Sequence, residues 1–336
     1  MDEHDRSGAA SSERLDDERG AEPSAGEDPG APPEELRELL AGLRASPPRI
    51  SPRYFYDREG SRLFDAITRT PEYYPTRTEL ALLRDHGDRV ARHVAPGSVL
   101  VELGSGSADK ALALLEHLER PRLYRPIDIS RDALEQTARA LIRARPELEI
   151  SPYWGDFTAP AAYSNLPAGA QRFVYYSGST IGNFERPEAL AFLRALRERL
   201  SPGDVLVLGV DLVKDPAVLH AAYNDAAGVT AAFNKNVLRH LNARFGADFD
   251  LERFEHLAFY DERARRVEMH LVPTAPVVVS IAGERFGFDP TRPIHTESSH
   301  KFSERDLAEL ADGAGYRLID IVTDERRWFA EALLGV

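Results

Sequence analysis

Residues 99–110, VLVELGSGSADK, constrain the chain more than any other stretch. A short apolar run carrying Glu102 turns through Gly104 and Gly106 into a segment of helical periodicity. A strand, a glycine turn and a helix in that order bring the backbone of a parallel α/β sheet up to a nucleotide-like ligand. The details choose among ligands. A dinucleotide fingerprint calls for a third glycine three residues after Gly106, where Asp109 stands, and the glycine, lysine and hydroxyl residue of a phosphate-cradling loop are also missing. By itself such a turn is equally a loop with no ligand.

The rest of the chain narrows the choice. Its 336 residues suffice for one large or two modest domains. A net charge of -13 argues against a nucleic-acid partner, because phosphates would be repelled. With no cysteine, disulfides and cysteine–zinc sites are excluded, and the ten histidines include no H-x-x-H or H-E-x-x-H, so no metal is expected. No run of 18 apolar residues marks a membrane span, and the acidic start lacks an apolar signal core; the expectation is a cytoplasmic monomer. Only four of the 42 basic residues are lysines: Lys110, Lys214, Lys235 and Lys301. In a chain so biased to arginine, the lysines mark places that call for a compact ammonium, unless they survive by chance.

Residues 1–34 are acidic and poor in large apolar side chains, the composition of a disordered tail. Helical patterns follow from Pro33, over 61–68 and over 78–92, the last two separated by the aromatic loop PEYYPT between Pro71 and Pro75. Strands are expected at 99–103, 123–129, 148–153, 173–177 and 205–210, the first four leading into βα units. The pattern predicts an α/β fold with a doubly wound, mostly parallel sheet. From 214 to about 300 the alternation breaks into a polar helical region followed by ARRVEMHLV and APVVVSI, which read as antiparallel strands. Ser303 with Asp306 reads as a helix cap, and YRLIDIVTD as a last strand returning to the sheet.

Three strand ends carry candidate ligand contacts. Asp128, 24 residues past Gly104, is placed to accept both hydroxyls of a ribose. Asp156 is placed to accept an adenine amino group, and Phe157 to cover the ring face. Each alone is also an ordinary turn or capping residue, but together with Gly104 they line one crevice. The fourth strand leads into SGSTIGNF, where the amide of Asn183 can bond a substrate carboxylate or amine, or simply close a turn. Neither a cysteine nor a G-x-S-x-G elbow offers a nucleophile, which favours direct transfer between bound substrates.

The form E-x-G-x-G-S is similar to the first motif of methyltransferases that bind S-adenosylmethionine. Around it stand YFYDREGSRLFDAITRTPEYYPTRTE, VELGSGSADK, STIGN, DLVKD, AYNDAAGVTAAFNKNVL and TESSHKF, in this order. Together they resemble the L-histidine Nα-methyltransferases of ergothioneine biosynthesis over roughly residues 36–336. The resemblance implies a class I, Rossmann-like methyltransferase domain at 78–213 plus 302–336, and a second α+β substrate-binding domain at 35–77 plus 214–301. It implies three methylations of the histidine α-amine, giving hercynine, with S-adenosylmethionine as donor and the mono- and dimethylated forms as intermediates. Carried over by motif, Gly104, Lys110, Asp128, Asp156 and Phe157 hold the donor, with Lys110 facing the methionine carboxylate. Asn183 and Tyr223 bind the substrate carboxylate. Tyr73, Glu297 and Ser299 surround the imidazole, Met269 lines the side-chain pocket, and Tyr56 lies near the amine as the catalytic residue. The alternatives are a methyltransferase of the same fold acting on a related amino acid, and a paralogue that binds S-adenosylmethionine without catalysis.

Overall fold

The computed structural model describes residues 33–336. All but the last two residues of the acidic segment 1–34 lie outside it, so its expected disorder lies outside the described residues.

Helix α1, Pro33–Arg44, buries Leu39, Leu40 and Leu43 along one face. A 3-10 turn, Pro52–Phe55, leads to Asp57, which caps α2 (Arg58–Ile67) by accepting from the Gly60 N–H at 2.7 Å. Helix α3 spans Pro75–Ala91. It starts three residues before the sequence suggested, because Pro75 occupies the first turn, where its missing N–H costs nothing.

The central sheet then begins with β1 (Val99–Leu103) and β2 (Leu123–Asp128), and continues with β3 (Glu149–Ile150), β4 (Tyr153–Trp154), β5 (Arg172–Tyr176) and β6 (Val205–Asp211). The expected strand at 148–153 is two short pieces, both paired with β2. Pro152 between them has no N–H to give the ladder. Strands β12 (Arg317–Thr323) and β13 (Phe329–Gly335) complete the sheet in the order β12-β13-β6-β5-β1-β2-β3. YRLIDIVTD is therefore the penultimate strand. The last is β13, which inserts antiparallel between β6 and β12.

Helices α4 (Ala108–Leu115), α5 (Arg131–Ala144), α6 (Arg186–Arg197) and α9 (Glu304–Ala314) cover the sheet. Val99, Val101 and Leu103 of β1 pack on the side of α6 and α9, whereas Leu100 packs on the side of α3 and α4. A strand buried on both faces reads as a continuous apolar run, which is why β1 was legible.

The region after β6 holds α7 (Pro216–Tyr223) and α8 (Val229–Phe245), separated at Gly228, whose φ of 72° favours glycine. An antiparallel sheet follows, built from β7 (Phe254–Asp261), β8 (Arg266–Pro273) and β11 (Ile294–His300) in the order β11-β8-β7. A hairpin of β9 (Val277–Ile281) and β10 (Glu284–Phe288) stands beside it. These elements share an apolar core with α1, α2 and the loop carrying Tyr73. Among the described residues, no helix is long and apolar enough to cross a membrane.

Candidate active site

The glycine turn forms the first wall. Gly104 has φ of 74°, a left-handed conformation, and a Cβ added there or at Gly106 would meet nothing within 4 Å. The turn therefore lines open space with backbone alone. Asp128, at the end of β2, reaches across to it and accepts from the N–H of Ser130 at 2.7 Å and of Gly106 at 3.3 Å. Burial nonetheless holds its carboxyl above the usual range. Asp156 and Phe157 follow β4, the ring of Phe157 packing edge-on to Tyr176 with centroids 5.4 Å apart. A half-buried acceptor beside a bare glycine turn suits a ribose. These residues fit the nucleoside of S-adenosylmethionine.

Lys110 has a partner that the sequence did not reveal. Its ammonium lies 2.6 Å from Glu79, a fully buried residue of α3. Glu79 also accepts from the Gly178 N–H at 2.8 Å and the Tyr175 hydroxyl at 2.9 Å. One carboxylate thus ties the helix before the sheet to the helix after β1, to β5 and to the loop after β5. Nearby Glu331 is pushed well above the usual carboxylate range by burial and by Glu79. Glu102 is likewise pushed up to about 8 by burial while accepting from the Tyr124 hydroxyl.

The opposite wall comes from β11. The alternation of a strand points Glu297 and Ser299 to one side, and Met269 of β8 is the partner of Glu297 in register. Met269 is 2 % exposed within the core that α1 and α2 share with this antiparallel sheet. The Asn183 amide, in a 3-10 turn after β5, donates to Glu297 at 3.1 Å. This approach depends on Gly182, where a Cβ would lie 2.8 Å from the backbone oxygen of His300. Burial pushes the Glu297 carboxyl up to about 7, against the pull of Lys301 and Asn183.

Tyrosines close the space between the walls. Tyr73 meets Tyr223 edge-on with centroids 6.5 Å apart, and the Tyr223 hydroxyl donates to Ser299 at 2.8 Å. Tyr56 packs against Phe64 and Phe233. Its phenol is pushed far above the ordinary range by burial and then by Glu297 and Asp128, carboxylates of the two opposing walls. Both carboxylates thus act electrostatically on Tyr56 and favour its neutral phenol.

A second buried network lies behind this wall. Asp211, at the C-terminal end of β6, accepts from the Tyr74 hydroxyl at 2.7 Å and from Lys301 at 2.8 Å, and also binds Lys214. Burial acts to raise Asp211, but the two ammonium groups hold it below the usual range. Burial drops Lys214 to about 8, whereas Asp211 keeps Lys301 above the ordinary lysine range despite its burial. Asp211, Tyr74 and Glu79 escaped the sequence reading. Their signal was the scarcity of lysine: Lys110 pairs with Glu79, and Lys214 and Lys301 with Asp211.

A doubly wound sheet with its last strand reversed, a bare glycine turn and a strand-end aspartate define a class I, S-adenosylmethionine-dependent methyltransferase. The chain belongs to the family described as "Histidine-specific methyltransferase, SAM-dependent", whose model matches residues 35–336. It is 42% identical over 294 residues to the histidine N-alpha-methyltransferase of Mycolicibacterium smegmatis, covering 86% of this chain and 90% of that one. It is 31% identical over 277 residues to ergothioneine biosynthesis protein 1 of Neurospora crassa, covering 80% of this chain and 31% of that longer protein. It is also 29% identical to the 4-dimethylallyltryptophan N-methyltransferase easF of Trichophyton verrucosum, covering 88% of this chain and 89% of that one.

Proposed function

We propose that the chain methylates the α-amine of L-histidine three times to give hercynine, the first step of ergothioneine biosynthesis. The observation that carries this reading is the buried polar edge of β11. Glu297, Ser299 and the Asn183 amide stand together beside Tyr73 and Tyr223, an arrangement suited to a small polar ring. A wall that hydrogen-bonds ring nitrogens rejects ligands lacking them far more strongly than an apolar wall would.

S-adenosylmethionine supplies an electrophilic methyl group on sulfur. The amine lone pair forms the new N–C bond as the C–S bond breaks. The role proposed for Gly104, Lys110, Asp128, Asp156 and Phe157 is to hold the donor. Asn183 and Tyr223 take the histidine carboxylate. Met269, Tyr73, Glu297 and Ser299 take its side chain. An enclosed site favours the neutral amine, and the Tyr56 phenol holds it in line by a hydrogen bond rather than as a phenolate base. Holding nitrogen and methyl carbon at about 3–3.5 Å is worth roughly 7–11 kcal/mol of the barrier.

The division into a methyltransferase domain (78–213 plus 302–336) and a substrate domain (35–77 plus 214–301) is part of the same proposal. It is supported by the apolar cores. Tyr74, Leu219 and Ile294 belong to one, whereas Leu82, Leu212 and Phe302 belong to those flanking the sheet.

The test is a competition. The protein is incubated with S-adenosylmethionine and equal histidine and tryptophan, and products are fragmented in a mass spectrometer. Histidine bearing methyl groups on its α-nitrogen, up to three, is the expected product. Methylated tryptophan as the main product, or a methyl group on the imidazole, would overturn the reading.

A further inference from the structure

We propose that Lys301 is a positioning residue that holds Tyr223 and Ser299 as hydrogen-bond donors, so that the pocket favours a ring carrying an acceptor nitrogen. The inference rests on the reading of this site as a histidine pocket and adds which ring atom it reads.

Lys301 follows β11 two residues after Ser299, itself two after Glu297. Its side chain is 1% exposed, and the ammonium lies 2.8 Å from Asp211, 2.9 Å from Ser299 and 3.1 Å from Tyr223. Its three protons thus have three acceptors. None remains for a ligand, so Lys301 acts through the two hydroxyls. Its backbone is fixed independently. The Lys301 N–H donates to the Arg265 carbonyl at 2.7 Å, and the Phe302 N–H donates to the Asp211 carbonyl at 2.9 Å.

The consequence follows from counting protons. Each hydroxyl oxygen commits one acceptor position to the ammonium. Tyr223 also donates to Ser299, which fills the remaining acceptor position of that oxygen. The Ser299 proton is then the group left to face the pocket. When a ligand carboxylate approaches, the Tyr223 proton can turn to it while its oxygen stays bonded to Lys301. Both hydroxyls therefore present donors, and Glu297, when ionised, presents an acceptor. A ring with one N–H and one bare nitrogen satisfies Glu297 and Ser299 together. A carbocyclic ring leaves the serine proton unpaired.

The test uses Lys301→Met, which keeps the stem and removes the ammonium. Affinities for histidine, a thiazolylalanine and the matching thienylalanine are measured with S-adenosylhomocysteine present. The last two ligands differ in one ring position, an acceptor nitrogen against a C–H. The wild type should prefer the thiazole by about tenfold. The variant should show little preference, with histidine bound about tenfold more weakly and S-adenosylhomocysteine unchanged. An unchanged thiazole preference in Lys301→Met overturns the proposal. If that variant does not fold, Ser299→Ala decides, since it too must lose the preference, and a preference retained there is equally fatal. Failure of the histidine reading would show separately, as a wild type that does not methylate histidine.

Discussion

The two walls of the site are built in different ways. The wall proposed for the donor is local: a glycine turn after β1 and side chains just past the ends of β2 and β4, each following its strand directly. The wall proposed for the substrate is drawn from distant segments: the turn after β5, the loop before α3, the end of α7 and β11. A wall of strand ends is specified by local sequence and suits a ligand common to many enzymes. A wall assembled from distant side chains suits specificity, and its electrostatics depend on what lies behind it. Lys110 and Lys301 show the parallel: each ammonium rests on a buried carboxylate, Glu79 or Asp211, reached from another element.

Breaking each wall should therefore remove one ligand and spare the other. The largest effect is expected at Asp128→Ala, which deletes two charge-assisted bonds worth about 1.5–3 kcal/mol each, so S-adenosylmethionine affinity falls at least about a hundredfold by titration calorimetry. Histidine affinity should change little, and unchanged donor affinity would remove Asp128 from the ribose. Glu297→Ala should raise the histidine KM by roughly tenfold to a hundredfold and relax discrimination against tryptophan. Selectivity kept intact in that variant would place the imidazole elsewhere.

Smaller effects sharpen the comparison. Glu79→Gln leaves the Lys110 ammonium without its carboxylate and should lower the melting temperature, since breaking a buried pair costs about 3–5 kcal/mol. Donor binding should weaken while histidine binding holds, and a variant as stable as the wild type would contradict the buried pair. Because burial pushes Glu297 up to about 7, its anionic acceptor form gains population as pH rises from 6 to 8, and histidine binding should tighten over that window. Glu297→Gln should flatten this dependence relative to the wild type. Removing residues 1–32 should change neither the activity nor the melting temperature appreciably, and a large loss of either would give that segment a role.

Much of the sheet was legible because β1, β5 and β6 are apolar runs and their helices have clear periodicity. Strand β11 was not, since IHTESSH carries one large apolar residue and is buried by polar contacts. β13 was missed because it follows β12 so closely that one return to the sheet sufficed to explain the pattern. In the site, Gly104 and Asp128 follow from spacing alone, whereas Tyr73, Tyr223 and Glu297 were reached through a resemblance of long motifs. Glu79, Tyr74 and Asp211 lie inside the quoted motifs but were given no role, since a buried polar side chain is indistinguishable in sequence from a surface one. The scarcity of lysine was the useful trace: Lys110, Lys214 and Lys301 each sit on a buried acid, while Lys235 lies 3.9 Å from the exposed Glu252.

The central claim is that the two walls meet at Tyr56, where the amine is held in line. The direct measurement is Tyr56→Phe, with the rate of methyl transfer in a single turnover and the affinities for S-adenosylhomocysteine and histidine taken on the same protein. The account predicts a rate lower by about a hundredfold with both affinities within about threefold of the wild type. An unchanged rate, or a loss explained entirely by weaker binding of one ligand, would contradict it.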